Sequence, residues 1–171
     1  MKKLLATLLI CLVSFKAHAF ELKFDIDFNG MMMSKQPDIM KIAMDYNGYK
    51  ANKNRKELKE LLAIDPVQVP WCAGFINFVL DKAGYYTTNS LQASSYHNYG
   101  MRVQSPEPGD VVLLKRTGGS GRHVAFFVGY YTENGVRYIQ LLGGNQDNEV
   151  NITSYPIELV MDIRRPIKKF G

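Results

Sequence analysis

The sequence predicts an α+β fold in which N-terminal helices pack on an antiparallel sheet of about five strands. Apolar residues recur at helical spacing as far as Gly84, and from Asp110 onward the period falls to two. Helices first and strands after, with no regular alternation, is the order of an antiparallel α+β domain. The 171 residues are 46% hydrophobic and 22% charged. That composition suits one domain with a full core and excludes disorder, collagen and coiled coil.

Residues Met1–Ala19 read as a secretory signal. Lys2 and Lys3 form its basic start, Leu4–Phe15 its apolar run, and Ala17-His18-Ala19 its cleavage site. The apolar run, about 12 residues, is shorter than the roughly 20 that span a membrane. Export would place the domain in the periplasm or outside the cell. Cleavage removes three lysines and no acid, so the net charge of +5 falls to +2. This excludes a strongly basic nucleic-acid binder. Lys50, Lys53, Arg55, Lys56 and Lys59 alternate with Asn52, Asn54, Glu57 and Glu60, the pattern of a solvated helix face. Residues 20–36, with Met31–Met33, form an arm or a lid ahead of a single domain at 37–171.

Pro37 opens a helix with Ile39, Met40, Ile42, Ala43 and Tyr46 on one side, and Asn47-Gly48 ends it. Asn54 is placed to cap a second helix carrying Leu58, Leu61, Leu62 and Ile64. Asp65-Pro66 breaks it. Pro70 suits the first turn of a third helix, with Phe75, Ile76, Val79, Leu80 and Ala83 at core spacing and a stop at Gly84. Strands follow at Val111–Lys115, Val124–Tyr131, Val136–Leu142 and Val150–Thr153, with a last one at Met161–Arg164.

Two cysteines are too few for a disulfide scaffold or a four-cysteine zinc site. Cys11 leaves with the signal. Cys72 remains, in the first turn of the third helix, as either an inert core residue or a reactive thiol. A helix start offers partial positive charge and unpaired N–H groups. Both favour a thiolate, and the N–H groups of Cys72 and Ala73 could hold an oxyanion.

Of three histidines, His18 leaves with the signal, His97 lies in a polar loop, and His123 starts a strand. The preceding Thr117–Arg122 loop lacks the ending of a phosphate loop. Strand register places an amide beside His123. A two-residue Asn134-Gly135 turn pairs Glu133 with Val136 and sets Gln146 opposite His123. A three-residue loop pairs Thr132 with Val136 and sets Asn145 there. Either amide can fix the imidazole tautomer. Trp71, beside Cys72, is either core or a cleft wall. Ser94, Ser95, Tyr96, His97 and Tyr99 form a possible opposite wall, with Tyr96 as the substrate-side residue.

Four segments carry a family resemblance. These are Pro70-Trp71-Cys72-Ala73-Gly74-Phe75-Ile76-Asn77, Pro108-Gly109-Asp110-Val111-Val112, Arg122-His123-Val124-Ala125-Phe126-Phe127-Val128-Gly129 and Leu142-Gly143-Gly144-Asn145-Gln146. Together, over about Ile39 to Pro166, the chain resembles the CHAP and NlpC-type cysteine peptidases and amidases, in a subgroup with a GGNQ ending. The resemblance implies a papain-like fold and hydrolysis of amide bonds in peptidoglycan stem peptides. It implies Cys72 as nucleophile, His123 as base and Asn145 as the residue that orients the base. Asp110 falls in a turn where a structural role is expected. Gly74 stands where a small residue such as alanine is expected. Arg122 stands where glycine is usual, and could narrow the cleft or bind a carboxylate. The chemistry needs no metal or organic cofactor. Peptidoglycan is the expected partner, nucleic acid is not, and the protein is expected to be a monomer. A non-catalytic wall-binding module on the same fold would show a damaged Cys, His or Asn set. A cysteine acyltransferase would share the set and yield a new amide.

Overall fold

A computed structural model of the chain describes residues 37–116 and 121–170. The signal expected at Met1–Ala19, the arm at 20–36 and the loop residues Thr117–Ser120 lie outside the described residues.

Three helices come first: α1 (Pro37–Met44), α2 (Arg55–Leu62) and α3 (Cys72–Lys82). A 3-10 turn, Ala93–Asn98, leads to β1 (Met101–Arg102), β2 (Val111–Lys115), β3 (Arg122–Glu133), β4 (Val136–Gln146), β5 (Glu149–Pro156) and β6 (Val160–Arg165). The strands form one six-stranded sheet in the order β1-β6-β2-β3-β4-β5, and every pairing is antiparallel. The sheet thus has one strand more than the sequence predicts. β1 has two residues on the sheet edge, too few to display a period. No helix among the described residues is long and apolar enough to cross a membrane.

The helices form where their apolar spacing is helical. In α1, Ile39, Met40 and Ala43 are buried, and in α2 Leu58 and Leu62. Asn54 occupies the N-cap position of α2 but does not cap it. Its side-chain oxygen instead accepts the Lys50 N–H at 3.0 Å, closing the turn before the helix. α3 starts at Cys72 itself, so Pro70 lies just outside the first turn. Its C-terminus closes as a Schellman motif. Gly84 (φ +80°) donates to Asp81 O and Tyr85 to Leu80 O, a geometry that needs the left-handed glycine.

Two tight turns set the last strands. Asn134-Gly135 joins β3 to β4 and Asp147-Asn148 joins β4 to β5, each with positive φ at both residues, the type I′ requirement. The chain before α2 docks on the second turn. Gly48 N donates to Val150 O at 2.7 Å and Ala51 N to Asn148 O at 2.8 Å, which ties the helices to β5.

The sheet is apolar on both faces. Val111, Leu113, Val124, Phe126 and Leu142 pack with the helices. The alternate residues Val112, Leu114, Ala125, Phe127, Ile139 and Leu141 form a second buried cluster with Ile163. The expected structural role of Asp110 is met. It is fully buried, and both its oxygens hold the Arg165 guanidinium, at 3.0 and 2.9 Å, locking the β2 turn to β6.

α3 seats on β4 through a missing side chain. A Cβ on Gly144 would lie 2.5 Å from Trp71 Cζ3 and 2.8 Å from Phe75 Cβ. Glycine there lets the first turn of α3 press onto the strand. Gly144→Ala should therefore lower stability by about 1–3 kcal/mol in urea unfolding. Unchanged stability would show that Trp71 can move aside.

Candidate functional site

The site is built where α3 begins and β3 begins. Cys72 is the first residue of α3 and is 5% exposed. The backbone N–H groups of Val124, of Ala73 and of Cys72 itself face its sulfur and favour the thiolate. Val124 follows His123, so the thiol and the imidazole are carried to the same end of the sheet. Burial raises the Cys72 thiol above its ordinary value, against the opposing pull of these N–H groups and of Arg116. The helix start does favour thiolate, as the sequence suggests, but desolvation outweighs it.

His123 is 3% exposed, and its Nε2 stands 3.2 Å from Gln146 Oε1. The amide cannot face the other way. Gln146 Nε2 is occupied at 2.6 Å by Asn151 O, at 2.9 Å by Asn151 Oδ1 and at 3.3 Å by Leu141 O, all of them acceptors. Tyr155 OH donates to the same Oε1 at 3.0 Å, and Thr153 OH donates to Asn151 Oδ1 at 2.7 Å. Burial pushes the Tyr155 hydroxyl up to about 12, so it stays protonated as a donor. Gln146 Oε1 can only accept. The neutral imidazole must therefore carry its proton on Nε2 and leave Nδ1 bare. Burial, aided by Arg116, lowers His123 to about 4, so the ring rests neutral at neutral pH. With the thiol raised and the imidazole lowered, the resting pair is a thiol and a neutral base, and an ion pair is disfavoured.

The strand register explains why the orienting amide is Gln146. The turn pairs Glu133 with Val136, the register that sets residue 146 opposite 123. A bulge at Val128 then shifts β3, so that Phe126 faces Leu142. That alone would bring Asn145 to His123. A second bulge between Gly143 and Gln146, with Asn145 in the left-handed region (φ +60°), shifts β4 back. The two bulges cancel. Asn145, expected to orient the histidine, instead lines a pocket of about 270 Å³ beside His123, Gln146 and Tyr155.

Three other expectations are corrected. Trp71 is fully buried, edge-on to Phe75 and beneath Gly144, so it is core and not a cleft wall. Its Nε1–H has no hydrogen-bond partner among the described residues. Tyr96 is fully buried as well and donates its hydroxyl to Asn77 Oδ1 at 2.7 Å, so it cannot face a substrate. Arg122 is exposed and does not line the pocket. It adjoins His123 on a strand, so its side chain leaves from the opposite face. Lys115 and Arg116 line the pocket instead. The sequence pattern alone does not single out Arg116; in the structure Leu114 pairs with His123, which puts residue 116 on the histidine's face. His97 is mostly exposed, 3.4 Å from Asp162 on β6. Ala73 stays at the helix start, fully buried beside Cys72. Gly74 lets a neighbouring loop close in, because a Cβ there would meet Leu91 Cδ2 at 3.3 Å.

Residues 64–145 match the family model of the CHAP domain. This stretch of the chain resembles a CHAP domain. No curated protein matches the sequence. The CHAP match bears out the family resemblance, and the helices on an antiparallel sheet agree with a papain-like fold. It also places the chain with peptidoglycan-related hydrolases and amidases. Cys72, His123 and Asn145 fall inside the matched span, and Gln146 lies one residue beyond it.

Two measurements follow from the buried pair. The raised thiol should react with iodoacetamide at pH 7 more slowly than free cysteine does, and faster only as pH rises into the alkaline range. Reaction faster than free cysteine would contradict a buried neutral thiol. His123 is depressed in the folded state from 6.5 to about 4. The unfolded chain therefore binds the extra proton first, and stability falls as pH drops from 6.5 to 4 by about 3 kcal/mol from this group. In urea unfolding, His123→Gln should lose that part of the pH dependence. A variant that parallels the native protein over this window would overturn the assignment.

Proposed function

We propose that this CHAP-like domain is an exported cysteine hydrolase that cleaves amide bonds in peptidoglycan stem peptides, as an endopeptidase or as an N-acetylmuramoyl-L-alanine amidase. The observation that carries the proposal is the His123 Nε2 bond to Gln146 Oε1, which leaves Nδ1 free as a base at the end of the sheet where Val124, the next residue, meets the helix-start thiol. The leader pattern of Met1–Ala19 supports export. The chemistry is assigned to the domain at 37–171.

Cys72 gives its proton to His123 Nδ1 as its sulfur attacks the stem-peptide carbonyl carbon. Because both groups rest neutral, charge separates only as the bond forms. The N–H groups of Cys72 and Ala73 at the start of α3 hold the oxyanion. Gln146 Oε1 keeps its bond to Nε2–H and steadies the imidazolium. The tetrahedral adduct collapses, the C–N bond breaks, and His123 passes its proton to the departing amine. Water then attacks the thioester, giving its proton to His123. The carboxylic acid leaves, and the proton returns to the Cys72 sulfur. Asn145 borders the pocket and takes no part in proton transfer.

The test is mass spectrometry of fragments released from purified peptidoglycan. The intact protein should release stem-peptide fragments. Cys72→Ala and His123→Ala should release none while keeping the native fold. Gln146→Ala should cut the rate on the order of a hundredfold, because the histidine loses its tautomer lock. Asn145→Ala should cost far less. The acid limb of kcat/KM should fall near pH 4, where His123 takes its proton. No fragments from the folded native protein would refute the proposal, and a larger loss in Asn145→Ala than in Gln146→Ala would refute the role given to Gln146.

A further inference from the structure

The pocket that ends at His123 has a cationic side. Lys115, the last residue of β2, and Arg116 just after it line the pocket, as does Asp147 on the β4–β5 turn. No carboxylate forms an ion pair with Arg116 among the described residues, whereas Arg55, Arg102, Arg164 and Arg165 each hold an aspartate. Arg116 is held by its backbone, N to Gly121 O at 3.0 Å, and its aliphatic stem lies over Gly121. A Cβ at Gly121 would already touch that stem at 3.6 Å. Arg116 shares the strand face of His123, and its charge reaches Cys72, His123 and Tyr155.

We propose that Arg116 is a specificity subsite that binds a free carboxylate of the substrate peptide close to the scissile amide. This deepens the hydrolase reading and rests on it. A guanidinium presents a planar fork that fits a carboxylate in two parallel bonds. A guanidinium beside the base, in no ion pair among the described residues, is suited to an anionic substrate. The subsite also bears on the chemical step. Unliganded, Arg116 repels the imidazolium that must form on His123. A bound carboxylate neutralises that repulsion, so the correct substrate eases its own proton transfer.

The test uses the full protein and one soluble stem peptide in two forms, with its carboxylates free and with them amidated. The native protein should show a kcat/KM about ten- to hundredfold higher on the free form, a preference that shrinks with added sodium chloride. Arg116→Gln should erase the preference, chiefly through KM, and Arg116→Lys should restore part of it. Equal turnover of the two peptides by the native protein would overturn the subsite and leave the hydrolase reading standing. Equal losses on both peptides in Arg116→Gln would assign Arg116 a structural role and overturn the subsite as well. No cleavage of either peptide by the native protein would overturn the hydrolase reading and the subsite with it. The native comparison stands without any variant, so a misfolded Arg116→Gln protein does not blunt the test.

Discussion

The bond between Gln146 Oε1 and His123 Nε2 is the constraint on which the site depends. An imidazole alone has two near-equivalent tautomers, and only one leaves the right nitrogen bare. The choice is made by an amide, and the amide is itself fixed by Asn151, Leu141 and Tyr155. Each of these lies on β4 or β5, so a hydrogen-bond ladder decides where a proton sits on β3. Neutral partners suit the purpose. A carboxylate beside the ring would raise its affinity for a proton, whereas an amide leaves it neutral at rest and free to accept a proton when the thiol offers one.

Packing and chemistry are joined at Gly144. The strand that carries Gln146 lies against Trp71, and Trp71 immediately precedes Cys72. The same close approach that seats α3 on the sheet therefore fixes where the Cys72 end of the helix meets the strand that carries Gln146. The burial that makes this contact firm also keeps both groups uncharged at rest. The helix start, by itself a thiolate-favouring place, is overruled by desolvation until a substrate arrives.

Much of this was legible in the sequence. The switch of period at Asp110, the Asn134-Gly135 turn and the Cys72 helix start are local signals, and the structure bears them out. What was not legible depended on non-local geometry. The two bulges, at Val128 and Asn145, each shift the register by one, and a count along the chain from the turn sees neither. Trp71 and Tyr96 read as possible cleft residues because their neighbours are polar or reactive, yet both vanish into the core. Arg122 drew attention by adjacency to His123, while the strand's alternation delivered Arg116 instead.

The most direct test of the tautomer lock is ¹⁵N nuclear magnetic resonance of the His123 ring across pH. The account predicts that at pH 7 Nε2 carries the proton and Nδ1 shows the shift of an unprotonated nitrogen, with both moving to imidazolium values only near pH 4. A proton on Nδ1 at pH 7, or an imidazolium at that pH, would contradict it.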